Sequence, residues 1–286
     1  MRRRIAVFGP TAVGKSAFCL ALAKEIGGEI VNADAVQLYR GFDIGSAKPS
    51  CAERERVAHH LVDVADPGMD VTVATYQMLA EAAIGEIERR GRVPIVSGGS
   101  GLYVRAALGE WDTFGRPPDP MVRQWVESAS LDEVYARALA LAPGAAARLS
   151  PQDRPRLVRL IERGSERHQT ARLPSWEYIK IGLYLPREEL YARIDARALT
   201  LWPHLVTETR RLLPWGPAAV AMAERTIGYR EALRHLRGEL GPDEALREVQ
   251  TRTRRFAKRQ LTWWRREPNT IWLRPEEGVR LLQGIV

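Results

Sequence analysis

The sequence predicts an α/β protein: a three-layer core around a parallel sheet, carrying an all-α inserted subdomain. Three observations carry that reading. Short apolar runs alternate with amphipathic helical segments over residues 5–101. The strands then disappear between residues 116 and 175. A strand-like run returns at 179–185, ahead of a mostly helical remainder.

The elements follow in order. Ile5-Ala6-Val7-Phe8 is a short apolar run stopped by Gly9, as a buried first strand would be. Residues 17–26 space Phe18, Leu20, Ala21, Leu22 and Ile26 as a helix does, and Gly27-Gly28 ends it. Residues 29–34 form a second strand running into the carboxylate of Asp34. Residues 75–90 are a long amphipathic helix closed by Gly91, followed by a buried strand at 93–97 and the run Gly98-Gly99-Ser100-Gly101. Gly115 to Pro120 is linker-like, and residues 121–167 are helical throughout. The expected organisation is a core of residues 1–115 and 176–286, interrupted by a helical insertion at 116–175.

Composition narrows the function classes. Of the 286 residues, 45% are hydrophobic and 27% charged, ordinary for a globular chain. No apolar run reaches the roughly 18–20 residues of a membrane-spanning helix. Met1-Arg2-Arg3-Arg4 has the charge of a signal peptide, but the apolar run behind it is shorter than the about 7–15 residues of an h-region. A cytoplasmic protein is expected. Cys19 and Cys51 have no metal or redox spacing, and Cys19 belongs to an apolar helix face. The net charge of +8 is concentrated at 154–172, 225–237 and 252–266. Such clusters fit either a solvated arginine-rich surface or a polyanionic partner.

Gly9-Pro10-Thr11-Ala12-Val13-Gly14-Lys15-Ser16 matches G-x-x-x-x-G-K-[ST] between a strand and a helix. In such a P-loop, backbone N–H groups turn toward phosphate oxygens at the positive end of the helix. Lys15 supplies a point charge, and the Ser16 hydroxyl is placed to ligate Mg²⁺. The strand at 93–97 ends without the acid that a nucleoside triphosphatase uses to hold its metal. The acid nearest the cradle in topology is Asp34, a candidate general base toward an acceptor beside the phosphates, or simply an organiser of its turn.

Further motifs accompany the cradle: residues 34–49 (Asp34-Ala35-Val36-Gln37 through Pro49), His59-His60-Leu61-Val62-Asp63-Val64 and Gly98-Gly99-Ser100-Gly101-Leu102-Tyr103. Beyond these come Ile227-Gly228-Tyr229-Arg230-Glu231 and residues 253–263, Thr253-Arg254-Arg255-Phe256 through Trp263. In this order they resemble the tRNA dimethylallyltransferase (tRNA isopentenyltransferase) family from residue 5 to about 273, least closely in the insertion.

The resemblance implies that residues Gly9 to Ser16 grip the diphosphate of dimethylallyl diphosphate, with Mg²⁺ near Ser16. Adenosine 37, beside the tRNA anticodon, would be flipped out of its stack to reach the reacting carbon. Asp34 matches the family's base on N6; Ala35, Val36 and Gln37 belong to its tRNA-contacting stretch; Ser100 stands where Thr is usual and keeps the hydroxyl. Arg123, Arg156 and Arg159 match tRNA-contacting positions of the insertion, and Arg254, Arg255, Lys258 and Arg259 a basic helix along the anticodon stem. Arg225 is a further candidate to reach the diphosphate.

There are departures. Ala35 replaces the usual Ser, Pro155 is unusual in its segment, and the Thr-Gly turn expected around residues 168–171 is absent. These touch substrate detail, not reaction type. His59 and His60 are expected to pack structurally, and Trp263 to lie in the core. A monomer is expected. Rival readings are a P-loop small-molecule kinase, a non-catalytic RNA-binding protein and an adenine-nucleotide prenyltransferase; the basic helix and the long insertion speak against the last.

Overall fold

The structure is a computed structural model, describing residues 4–110, 119–163 and 178–276. Two compact units are present, Met1–Trp111 with Leu173–Val286, and Asp112–Arg172. The linker at 115–118 and the departure at 168–171 lie outside the described residues.

In the larger unit the chain runs β1 (Arg4–Phe8), α1 (Lys15–Ile26), β2 (Gly28–Asn32), α2 (Cys51–Arg56), β3 (His59–His60), α3 (Val73–Arg89), β4 (Val93–Gly98) and α4 (Gly101–Ala107). The smaller unit holds α5 (Pro120–Ser128), α6 (Leu131–Leu141), α7 (Pro143–Ala146) and α8 (Arg154–Arg163). The larger unit resumes with β5 (Tyr178–Leu183), α9 (Arg187–Leu212), α10 (Pro217–Arg225), α11 (Tyr229–Leu236), α12 (Pro242–Trp264) and β6 (Thr270–Leu273).

All six strands are parallel, in the order β3-β2-β4-β1-β5-β6. Strand alternation sends successive side chains to opposite faces, so a strand covered on both sides must be apolar throughout. Ile5 and Val7 therefore meet Phe18, Leu22, Leu190 and Ile194 on one face. Ala6 and Phe8 meet Tyr76, Ile84, Val104 and Trp264 on the other. These are the three layers that the apolar runs predict.

The remainder departs from a simple second half of the sheet. A third core, helical, gathers Trp202, Leu205, Tyr229 and Val249 around Phe42. It anchors the long loop after β2 to α9, α11 and α12. The smaller unit has its own core of Val134, Ala138, Leu157 and Ile161. β3, not foreseen as a strand, pairs with β2 through His59 and His60, and His60 Nε2 bonds Glu29 Oε2 at 2.7 Å. The histidines serve the sheet edge. One expectation is overturned: Trp264 is 0% exposed and stacks on Phe8 with ring centroids 4.2 Å apart, whereas Trp263 is 38% exposed. Adjacent helical residues differ by about 100° around the axis, and only the partner surface decides which faces inward.

Candidate active site

The cradle sits where β1 gives way to α1. Gly14 caps the helix with φ of 105°, in the left-handed region that disfavours a side chain. The Lys15 ammonium folds inside the loop and donates to the carbonyls of Gly9 (3.0 Å) and Pro10 (2.8 Å). Burial pushes its pKa down to about 8, opposed by the charge of Asp34 and assisted by that of Arg197. The Ser16 hydroxyl is exposed at the start of α1.

Asp34 lies two residues beyond β2, in a turn pinned by Asn32. The buried Asn32 amide donates to Leu61 O (2.9 Å), while its Oδ1 accepts the Asp34 N–H (3.1 Å). Asp34 Oδ1 accepts from Val36 N (2.9 Å) and Gln37 N (3.4 Å). One carboxylate oxygen thus shapes the turn, and Oδ2 has no hydrogen-bond partner among the described residues. The two readings of Asp34, turn organiser and proton acceptor, are compatible. Ser100 Oγ accepts the Ala35 N–H at 3.3 Å and ties the acceptor turn to the end of β4.

A cavity of about 610 Å³ joins these parts. Thr11 and Ala12 line it from the cradle, and Asp34, Ala35, Val36 and Ser100 from the β2 and β4 edges. Ile194, Leu201, Leu205 and Phe256 form apolar wall, and Arg225 borders it as well. α12 adds Arg252, Arg255 and Arg259. Asp34 is the acid of this cavity wall, at the carboxyl edge of a parallel sheet where ligands of such folds bind.

Two wall residues have roles that the sequence did not single out, although Arg252 falls within the basic cluster at 252–266. Arg197 of α9 has its pKa lowered by burial, partly opposed by Asp34, yet no carboxylate forms an ion pair with it among the described residues. Lys15 and Arg197 are two desolvated cations that repel each other, an arrangement an anion would relieve. Arg252 pairs with the buried Glu231, which also accepts the Gly228 N–H at 2.7 Å and so holds Ile227-Gly228-Tyr229 in the wall. No local pattern marks the role of either arginine, because each acts on residues far away in sequence.

Residues 37–267 match the family model described as IPP transferase. The chain belongs to the IPP transferase family. It is 44% identical to the tRNA dimethylallyltransferase of Anaeromyxobacter dehalogenans, over 96% of this chain and 95% of that protein. A tRNA dimethylallyltransferase of Geobacter metallireducens is also 44% identical, over 95% and 92%. Among solved structures, the full-length tRNA isopentenylpyrophosphate transferase of Bacillus halodurans superposes with TM-score 0.74 at 31% identity, covering 100% of this chain and 95% of that one. A eukaryotic dimethylallyltransferase acting on tRNA gives TM-score 0.79 at 25% identity, covering 92% and 70%. The family is one of transferases, and the three-layer P-loop core expected from the sequence is the fold it shares.

The remaining family positions divide by what they already hold. The Gln37 amide donates to Ser46 O (3.0 Å) and Ala47 O (3.1 Å), so its side chain braces the loop. In the smaller unit, Arg123 Nε and Arg159 Nη1 donate to the buried Glu162, at 2.5 and 3.1 Å. Burial alone would raise the Glu162 pKa; those two hydrogen bonds outweigh it and lower it. Arg156 lies 3.3 Å from Asp153 and is largely exposed. On α12, Arg254 is engaged by Asp195 (2.5 Å) and Thr251 (3.1 Å). Arg255, Lys258 and Arg259 are exposed, with no acidic partner among the described residues. Arg225 donates to Ala221 O at 3.1 Å from the end of α10.

Proposed function

We propose that this protein transfers the dimethylallyl group of dimethylallyl diphosphate to N6 of adenosine 37 of tRNA, releasing diphosphate. The observation that carries the reading is one cavity bordered by Thr11 and Ala12 of the P-loop, by Arg197 and by the half-free carboxylate of Asp34. The relatives bearing this name match nearly end to end.

The chemistry divides among the residues. Backbone N–H groups of the loop between Ala12 and Ser16, with Lys15, Arg197 and Arg225, would bind the leaving diphosphate. Apolar wall from Leu201, Leu205 and Phe256 suits a five-carbon tail and keeps water from the allylic carbon. As the C1–O bond breaks and N6–C1 forms, the N6 proton passes to Asp34 Oδ2, while Oδ1 stays bound to its turn. Ser16, exposed at the start of α1, would hold a Mg²⁺ ion through its hydroxyl. Bound there, Mg²⁺ would neutralise charge on the leaving group.

The tRNA anticodon stem-loop would be bound by Arg255, Lys258 and Arg259, with Arg123, Arg156 and Arg159 of the smaller unit as further contacts. A monomeric, cytoplasmic enzyme fits this reading. Nucleoside mass spectrometry of tRNA incubated with the protein, Mg²⁺ and dimethylallyl diphosphate tests it. Adenosine heavier by one dimethylallyl group, mapped to position 37, is expected. Prenylation of free adenine nucleotides but not tRNA, or phosphoryl transfer from ATP instead, would sink the proposal.

A further inference from the structure

We propose that Gln260 is a positioning residue that holds the phosphate cradle and the acceptor turn in fixed register. The inference rests on the reaction proposed above and names a part of its machinery. Gln260 lies on α12, 7% exposed, between two loops that meet nowhere near each other in sequence. Its Oε1 accepts the Thr11 N–H at 2.8 Å, and its Nε2 donates to Gly99 O at 3.0 Å. The backbone partners fix the orientation of the amide, since an N–H needs an acceptor and a carbonyl needs a donor. A Cβ on Gly99 would stand 2.4 Å from Nε2, so glycine there is the condition for this close approach.

Both tethered loops belong to the cavity. Thr11 lines it from the donor side. Gly99 precedes Ser100, whose hydroxyl holds the Ala35 N–H beside Asp34. The path from Thr11 through Gln260 to Gly99 and Ser100 therefore spans the distance between leaving group and proton acceptor. A carboxylate at 260 could only accept and a lysine or arginine only donate, whereas glutamine supplies one of each. The bond also commits the Thr11 N–H to α12, so it is not among the loop amides available to phosphate. The residues one and four positions earlier, Arg259 and Phe256, line the same cavity, so the clamp and part of the wall lie on one helix.

The test compares Gln260→Leu and Gln260→Glu with wild type by single-turnover prenylation of tRNA at saturating donor, by donor binding and by thermal unfolding. Gln260→Leu should lose about 10² in single-turnover rate, as misplacement of reacting groups does, with much smaller change in donor affinity. Gln260→Glu keeps the acceptor for Thr11 but not the donor for Gly99. Burial raises the pKa of its carboxyl, so its rate relative to wild type should rise as the pH is lowered, when the proton needed by Gly99 O returns. That recovery is the signature of a clamp, and it decides the matter even if Gln260→Leu fails to fold. A pH-independent ratio, or losses no larger than the unfolded fraction, would mean Gln260 only packs. Failure of the proposed reaction shows differently: wild type would then yield no prenylated nucleoside.

Discussion

Clustered positive charge is not the same as charge available to RNA, and α12 allows the two to be separated. Arg254 and Lys258 are one helical turn apart and equivalent in sequence, but Arg254 is held by Asp195 at 2.5 Å while Arg255 and Lys258 are exposed without acidic partners among the described residues. Each phosphate contact contributes about 0.7–0.9 to the slope of log affinity against log salt. Replacing Arg255 and Lys258 together by Ala should therefore flatten the slope by about 1.4–1.8. Between 50 and 200 mM salt, a fourfold change, the gap in affinity between wild type and double variant should shrink about seven- to twelvefold. Arg254→Ala should flatten it by less than about half a unit, because Asp195 already offsets that charge. Fluorescence anisotropy of labelled unmodified tRNA at three salt concentrations measures all three proteins. Equal slopes for wild type and double variant, or a larger effect from Arg254→Ala, would refute the reasoning and place tRNA elsewhere.

Four further outcomes are expected. Asp34→Asn should lower the single-turnover rate by about 10² to 10⁴ with both substrates still bound, since the amide keeps the turn and loses the proton acceptor; a near-normal rate would leave Asp34 as a turn organiser alone. Lys15, depressed to about 8 by burial, should be recharged by a bound diphosphate, so binding takes up a proton at higher pH and donor affinity falls by about tenfold from pH 7 to pH 9. Calorimetry in the absence of tRNA checks this against Lys15→Arg, whose charge does not titrate in that range and whose affinity should stay flat. The Cys19 thiol, pushed up to about 12 by burial, should resist alkylation at pH 8 while the exposed Cys51 reacts, giving one modified thiol per native chain by intact mass. Trp264→Ala should cost about 3–5 kcal/mol in denaturant unfolding and Trp263→Ala clearly less, following their opposite burial.

The cradle, the strand before it and the helix after it are written in consecutive residues, because turn chemistry and side-chain periodicity are local. That is why Gly9 to Ser16, the apolar runs of β1 and β4, and the acid after β2 could be read directly, and why the resemblance carried by six ordered motifs led to the right family. Residues 121–167 were legible as a helical stretch without strands for the same reason, and those of them that are described form helices. What the chain alone did not disclose depends on which face of a helix meets which loop. Arg197 and Gln260 act on residues 163 and 249 positions earlier (197 − 34 and 260 − 11), and although Gln260 falls within the motif of residues 253–263, nothing local says what either side chain meets. Arg254 and Arg255 look alike until Asp195 selects one, and Trp263 and Trp264 until Phe8 selects the other. Adjacent helical residues point about 100° apart, so burial and pairing are assigned by the packed partner, and only the tertiary structure supplies the partner.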